Sequence, residues 1–296
     1  KGFDILTAPP PSSGGLGLLQ MLAVLDGTGY EKSGFESAAT IHWLAEAMRR
    51  YYADRSEFLG DPDFFQVPAK GLLDPRYISK LRSSIDPAKA STSAEIKAGT
   101  PRDYESAETT HFSILDAEGN AVALTYTING SYGSGVTVPR LGFLLNNEMD
   151  DFAAKPGEPN MFGLVQGESN AIQPQKRPLS SMTPTIIVKD GRPYLIVGAP
   201  GGSRIITGVT QVILNVLDFG MNVQDAIDAP RLHHQWMPDK LMLERGFSPD
   251  TIELLKARGH TIEHIDGVAV VEAIRVNGEW LEGGTDGRGR GKVAGY

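Results

Sequence analysis

Hydrophobic positions along the chain follow two regimes that change near residue 109. Before it, the spacing is helical. The opening Gly2-Phe3-Asp4-Ile5-Leu6-Thr7 reads as a strand, and Pro9-Pro10-Pro11 stops it. Ser12 or Ser13 is then placed to cap a helix. Residues 16–25 are apolar on most faces, which predicts that this helix is buried. A second helix is predicted over 38–54. Ile41, Leu44, Ala45 and Met48 share its apolar stripe, and Glu46, Arg49 and Arg50 lie elsewhere, on its surface. Asp74-Pro75 opens a short third helix over 77–84. Residues 87–108 are rich in Ser, Thr, Ala, Lys and Glu and almost lack large apolar side chains, the composition of a flexible linker.

From Thr109 the pattern becomes that of paired strands. Residues 111–115 and 121–128 flank Asp116-Ala117-Glu118-Gly119-Asn120. Residues 184–188 and 194–197 flank Asp190-Gly191, and 268–276 and 279–281 flank Asn277-Gly278. Each is a hairpin signal, Asn-Gly the strongest. Helices are predicted over 203–217 and from Ser248-Pro249-Asp250 to Gly259, with Ser248 as cap and Pro249 in the first turn. Hairpins followed by helices predict antiparallel sheet with helices packed on it, an α+β or a layered αββα arrangement. Regular βαβ alternation is lacking.

Composition narrows the function classes. The 296 residues carry a net charge of −8, with the acidic excess spread over both halves, so a phosphate-backbone partner is not expected. There is no Cys, which removes disulfides, thiolate metal sites and a thiol nucleophile. No apolar run is long enough to span a bilayer. The first residue is Lys rather than Met, and a strand is already under way, which predicts a fragment or a processed chain.

Five segments could carry chemistry. Thr109-Thr110-His111 joins the acidic linker to a strand. Thr is an ordinary strand former, but cleavage after Glu108 would give Thr109 a free α-amine, able to take the proton of its own hydroxyl near neutral pH. Asn146-Asn147-Glu148-Met149-Asp150-Asp151 is the densest polar cluster. It fits a solvated loop, a hard-cation site, or a pocket for a substrate ammonium. The Ser180-Ser181 pair can donate to a carboxylate, or simply form a turn. Val197-Gly198-Ala199-Pro200-Gly201-Gly202-Ser203-Arg204 joins a strand to a helix. It lacks both the phosphate-loop and the dinucleotide spacing, which leaves an oxyanion hole or a plain helix start. His233 and His234 alternate in direction along a strand and are read as structural.

Taken in order, several stretches resemble the γ-glutamyltranspeptidase family. They are Pro9-Pro10-Pro11-Ser12-Ser13-Gly14-Gly15, Tyr52-Ala53-Asp54-Arg55-Ser56, Leu59-Gly60-Asp61-Pro62, Thr109-Thr110-His111-Phe112-Ser113 and Thr125-Tyr126-Thr127-Ile128-Asn129. They continue with Leu145 to Phe152, Arg177-Pro178-Leu179-Ser180-Ser181-Met182, Gly201-Gly202-Ser203-Arg204, His233-His234-Gln235-Trp236 and the closing Ala294-Gly295-Tyr296. The resemblance covers essentially the whole chain. One departure is Thr285-Asp286-Gly287-Arg288, where members often carry Ser-Asp-Pro-Arg.

The resemblance implies an N-terminal-nucleophile hydrolase with a four-layer αββα sandwich, whose precursor cleaves itself between Glu108 and Thr109. Residues 1–108 are then the end of the large subunit and 109–296 the small, catalytic one, paired as a heterodimer. Thr109 is implied as nucleophile and, through its amine, as base. Thr127 orients it, and Gly201 and Gly202 form the oxyanion hole. Asn129, Glu148 and Asp151 hold the substrate α-ammonium, and Ser180 and Ser181 its α-carboxylate. An arginine that grips this carboxylate comes, in the family, from sequence upstream of residue 1. Arg177 and Arg204 are the nearest alternatives in sequence. Residues 155–167, with Phe162 near the middle, match a loop that covers the site in many bacterial members. The implied reaction moves a γ-glutamyl group from glutathione-like compounds to water or to an amino-acid or dipeptide acceptor. No cofactor or metal is implied, and a periplasmic or extracellular location is. A glutaryl-type acylase of the same fold, and an inactive fragment acting as a binding or assembly module, are the alternatives.

Overall fold

The computed structural model describes residues 2–96 and 110–295. Strand β1 (Asp4–Thr7) leads into helix α1 (Gly14–Leu25) and then the long α2 (Ala38–Phe58), α3 (Ala69–Leu72) and α4 (Pro75–Ser83). The β2 (Thr110–Leu115) and β3 (Ala121–Tyr126) hairpin follows. Next come β4 (Thr185–Lys189), β5 (Arg192–Gly198), α5 (Ile205–Leu217) and α6 (Val223–Asp228). The chain closes with β6 (Leu232–His233), β7 (Leu241–Leu243), α7 (Pro249–Ala257), β8 (Ile262–His264), β9 (Glu272–Asn277) and β10 (Trp280–Gly284).

The main sheet has the order β1-β4-β5-β9-β10 and is antiparallel throughout. The three expected hairpins are present, β2–β3, β4–β5 and β9–β10. Helices α1, α5 and α6 cover one face of the main sheet. Leu18, Ile187, Leu195, Val197, Val209, Val212, Ile213 and Val271 fill that interface. Each such side chain taken out of water contributes about 1.5–3 kcal/mol. The β2–β3 hairpin packs on the other face, against β4, β5 and β9. The fold is therefore α+β, with helix, sheet and sheet layers. The outer face of the hairpin carries Phe112, Ile114, Val122, Leu124 and Tyr126, all exposed.

A second core lies between α1, α2 and α4 and the small sheet β6-β7-β8. The α1–α2 approach needs Gly17: a Cβ there would sit 2.3 Å from the Tyr51 ring. Tyr51 Oη in turn donates to the Ser13 carbonyl at 2.7 Å.

Several expectations give way to longer-range contacts. Ser13 makes no side-chain cap on α1; its hydroxyl instead donates to the Ser180 carbonyl at 2.6 Å. Glu46, Arg49 and Arg50 are buried rather than on the surface of α2. Residues 84–96 cross that polar face and satisfy it: Arg50 reaches Ser84 and Ser91, and Arg49 reaches Ser93. The first part of the segment expected to be a linker, 87–96, is thus packed. Ser93 is fully buried, its N–H donating to Asp239 and its carbonyl accepting from Trp236 Nε1. The rest, 97–108, lies outside the described residues, as does Thr109.

Helix α6 and the parallel β7–β8 pair, both very short, have no counterpart in the pattern reading. The Asp286 carboxylate of the departing Thr285-Asp286-Gly287-Arg288 segment is buried. It pairs with Arg231, also buried, and with Arg288, which bridges on to Glu244.

Candidate active site

One cavity collects Arg55, Thr127, Asn129, Asp151, Phe162, Leu164, Leu179, Ser180, Ser181, Met182, Gly202 and Ile205. These residues come from the C-terminal half of α2, the segment just after β3, the polar cluster that follows, the loop 155–167, the segment before β4 and the start of α5. Of the residues that sequence placed in a site, Thr127, Asn129, Asp151, Ser180, Ser181 and Gly202 line it together. Glu148 does not line it, but stands three residues from Asp151 in the same turn, its carboxylate raising the pKa of Asp151. Gly201 stands one residue before Gly202. Glu108 and Thr109 lie outside the described residues; Thr110, which follows directly, is the first residue of β2.

Asn129 is buried in a left-handed conformation, φ 71°, which Asn tolerates better than most residues. Its N–H donates to Thr127 Oγ1 at 2.8 Å. The polar cluster folds as a single 3₁₀ turn, Glu148–Asp151. It is neither a loose solvated loop nor arranged around a cation: Asn147 Oδ1 accepts from Gly130 N, and Asp150 Oδ2 from Met161 N. Burial pushes the Asp151 carboxyl well above the usual range, and the neighbouring Glu148 carboxylate pushes it further; Arg55 opposes the shift. Burial raises Glu148 as well. Two neighbouring carboxyls in a partly dry site resist ionising together.

The serine pair is built by the proline-rich motif at the start of the chain. Ser180 N donates to the Pro11 carbonyl at 3.0 Å, and Ser13 N to the Ser180 carbonyl at 2.8 Å. Arg55 sits on top of this joint. Its Nε donates to Ser13 Oγ at 2.9 Å and its Nη2 to Ser181 Oγ at 3.1 Å. Its Nη1 is buried with no hydrogen-bond partner among the described residues. Arg177 and Arg204 are committed elsewhere. Arg177 pairs with Asp61 and Asp63, and Arg204 donates to the Gly267 carbonyl at 2.7 Å. Neither lines the cavity. Arg55 is the site residue that sequence reasoning passed over, although it stands within the Tyr52 to Ser56 stretch that matched the family. Arg55 stands between Asp54 and Ser56 in a helix that also carries Arg49 and Arg50, so no local signal set it apart.

Gly201 (φ 145°) and Gly202 (φ 54°) turn the chain into the 3₁₀ turn that precedes α5. A Cβ at Gly201 would lie 2.6 Å from Ala269 Cα, so glycine is required there. The backbone amides at this helix start are suited to a developing negative charge.

Among the described residues, those nearest to a metal geometry are His42, Glu46 and His260, deep between α2 and β8. Apart from His260 Nδ1, their polar atoms are already paired. His42 Nε2 donates to the Asp86 carbonyl, so its Nδ1 accepts from His260 Nε2 at 2.8 Å. Glu46 is held by Arg49 and Arg50, and two guanidiniums beside it repel a cation. His233 and His234 are buried as expected, against Thr207 and near Asp239.

The sequence model of the gamma-glutamyltranspeptidase family matches residues 1–296. The chain is 50% identical over 290 residues to the glutathione hydrolase proenzyme of Escherichia coli (strain K12), across 97% of this chain and 50% of that protein. It thus spans about half the length of the curated relative it matches. Among solved structures, a gamma-glutamyltranspeptidase from Pseudomonas nitroreducens complexed with L-DON is 48% identical, with a TM-score of 0.61 over 64% of this chain and 100% of that one. A cephalosporin acylase from Bacillus halodurans is 27% identical, with a TM-score of 0.85 over 100% of this chain and 52% of that one.

Proposed function

Because the chain belongs to the gamma-glutamyltranspeptidase family, we propose that it carries the catalytic part of an enzyme transferring γ-glutamyl groups from glutathione-like donors to water or to an amino-acid or peptide amine. The observation that carries this reading is the single cavity joining Asn129 and Asp151, suited to an ammonium, to Ser180, Ser181 and Arg55, suited to a carboxylate. An α-amino acid head group presents both charges.

In the proposed cycle, the bond between Glu108 and Thr109 breaks first, leaving two chains that stay together. The share of this chain matched by the whole solved Pseudomonas nitroreducens chain, 64%, is about the share that residues 109–296 make up. The freed Thr109 amine takes the proton from the Thr109 hydroxyl, whose oxygen attacks the γ-carbonyl of the bound donor. Thr127 orients that hydroxyl. The amides of Gly201 and Gly202 receive the oxyanion. The donor amine leaves with the proton, and a γ-glutamyl ester remains on Thr109. Water or an acceptor amine then attacks the ester, and Thr109 recovers its proton. No step calls for a cofactor.

Ser180 and Ser181 bring neutral hydrogen bonds to the substrate carboxylate. The Arg55 guanidinium behind Ser181 supplies positive charge, strengthening donation from that hydroxyl. The periplasmic or extracellular location rests on the family resemblance. Among the described residues, no helix is long and apolar enough to cross a membrane.

The acylase reading draws on the Bacillus halodurans structure, which this chain matches along its full length. A glutaryl group has no α-ammonium, so it leaves Glu148 and Asp151 without a task. The deciding experiment compares hydrolysis of a γ-glutamyl anilide and a glutaryl anilide by the protein with its natural upstream sequence. Preference for the γ-glutamyl donor is expected. Equal rates favour the acylase, and turnover of neither favours a binding or assembly module.

A further inference from the structure

We infer that Met161 is a positioning residue: its thioether fixes which end of the Asn129 amide is offered to the substrate. This rests on the reading of the cavity as an ammonium site. Asn129 Nδ2 points at Met161 Sδ at 3.6 Å and also donates to the Asn147 carbonyl at 3.2 Å. Neither partner can donate, for a thioether sulfur and a carbonyl oxygen only accept. The amide nitrogen is thereby held on the Met161 side, and Oδ1 is left as the free end. An ammonium needs an acceptor, so this is the orientation that binds it; the flipped amide presents N–H to a cation.

The same sulfur accepts from Asn147 Nδ2 at 3.5 Å. The Asn147 amide is oriented independently by its Oδ1, which accepts from Gly130 N at 2.8 Å. One sulfur thus ties Asn129, which lines the cavity, to Asn147.

Met161 belongs to a loop that is itself preorganised. Asn160 Oδ1 accepts from Phe162 N at 3.0 Å and Leu164 N at 3.2 Å, closing a tight turn at the loop tip. Met161 N donates to Asp150 Oδ2 at 3.0 Å, Gln235 Nε2 to the Phe162 carbonyl at 3.0 Å, and Gly167 N to the Ser56 carbonyl at 2.8 Å. Phe162 and Leu164 from this turn line the cavity. The Met161 sulfur therefore joins the covering loop to the amide that the loop shields. A long unbranched thioether reaches between two side-chain amides where a branched apolar residue cannot accept.

The test compares Met161→Leu with Met161→Gln in the full natural chain. Leu preserves apolar bulk and removes the acceptor. Gln has similar length and restores an acceptor oxygen. For the γ-glutamyl anilide, Met161→Leu is expected to raise KM about threefold to tenfold, the loss of one neutral hydrogen bond, with kcat within twofold. Met161→Gln is expected to stay within about twofold of wild type in KM. Hydrogen exchange of the amides in 155–167 should rise in the Leu variant and not in the Gln variant. A residue that serves only by packing gives the reverse ranking, with Leu tolerated and Gln disruptive, and that ranking overturns the proposal, as does unchanged KM and exchange in both. If wild type does not turn over the γ-glutamyl donor, the functional reading fails, while the exchange comparison still decides whether the Met161 acceptor holds the loop.

Discussion

Arg55 and Ser181 are 126 residues apart in sequence, yet the guanidinium of one donates to the hydroxyl of the other at 3.1 Å inside the candidate site. The contact joins α2 to the segment that precedes β4. It lies across the proposed cleavage point, so both products contribute to one pocket. Arg55 Nε also holds Ser13, whose own hydroxyl holds the Ser180 carbonyl. A single cation lining the cavity thus holds Ser181 directly and Ser180 through Ser13.

Arg55→Lys should therefore weaken donor binding without abolishing folding. Lysine keeps the charge but cannot reach two hydroxyls at once with a planar fork. Losing a hydrogen bond to a charged group costs about 1.5–3 kcal/mol, or roughly a tenfold to hundredfold rise in KM for the γ-glutamyl anilide. Steady-state kinetics on the variant and wild type check this. A KM unchanged within twofold would mean that Arg55 only braces Ser13.

The pair Glu148 and Asp151 sets a pH dependence. Burial, and then the neighbouring Glu148 carboxylate, push the Asp151 carboxyl up to about 8. A bound ammonium needs that carboxyl ionised, so binding below its raised pKa releases a proton. KM for the γ-glutamyl donor is expected to fall as pH rises toward that pKa. It should climb again once the donor α-amine loses its own proton, near about pH 8 for a free α-amine. In Asp151→Asn the descending limb should disappear, because no carboxyl remains at 151 to ionise. A wild-type KM that is flat between pH 5 and 7 contradicts the assignment.

Local chemistry was legible in the chain wherever its partners were local. Asn277-Gly278 and Asp190-Gly191 announced their hairpins, and Ser248-Pro249 announced α7, because turn and cap geometry is decided within a few residues. What escaped depends on distant partners. Glu46, Arg49 and Arg50 look like a solvated helix face until residues 84–96 are laid over them. Ser13 looks like a helix cap, yet its hydroxyl serves Ser180. The polar cluster at 146–151 offered three readings in sequence. The contacts of Asn147 and Asp150 with Gly130 and Met161 remove the solvated loop, and those contacts come from elsewhere in the chain. Arg55 went unread as a site residue because nothing within its own helix marks it as anything but a buried cation.

Self-cleavage gives a further prediction. Thr109→Ala should remain a single uncut chain by intact mass, since the attacking hydroxyl on the Glu108 carbonyl is gone. Wild type should separate into two chains at that bond. A Thr109→Ala protein cut at the same position points to an external protease instead of the threonine.

The Arg231–Asp286 pair carries the last prediction, on stability. Both side chains are fully buried, and Arg231 leaves Nε and Nη1 without hydrogen-bond partners. Asp286 also accepts from Val271 N at 2.8 Å and pairs with Arg288, which continues to Glu244. Burial makes each charge costly by itself, and their mutual attraction offsets that cost. Asp286→Ala removes the partner and strands the Arg231 guanidinium in the core, so it should destabilise by about 3–5 kcal/mol. Arg231→Met combined with Asp286→Leu removes both charges and should recover much of that loss, because well-packed apolar residues of similar volume replace a buried ion pair at little cost. Denaturant unfolding of the two variants beside wild type measures the difference. If the single variant loses less than about 1 kcal/mol, water reaches Arg231 and the pair is not the sealed contact its burial indicates.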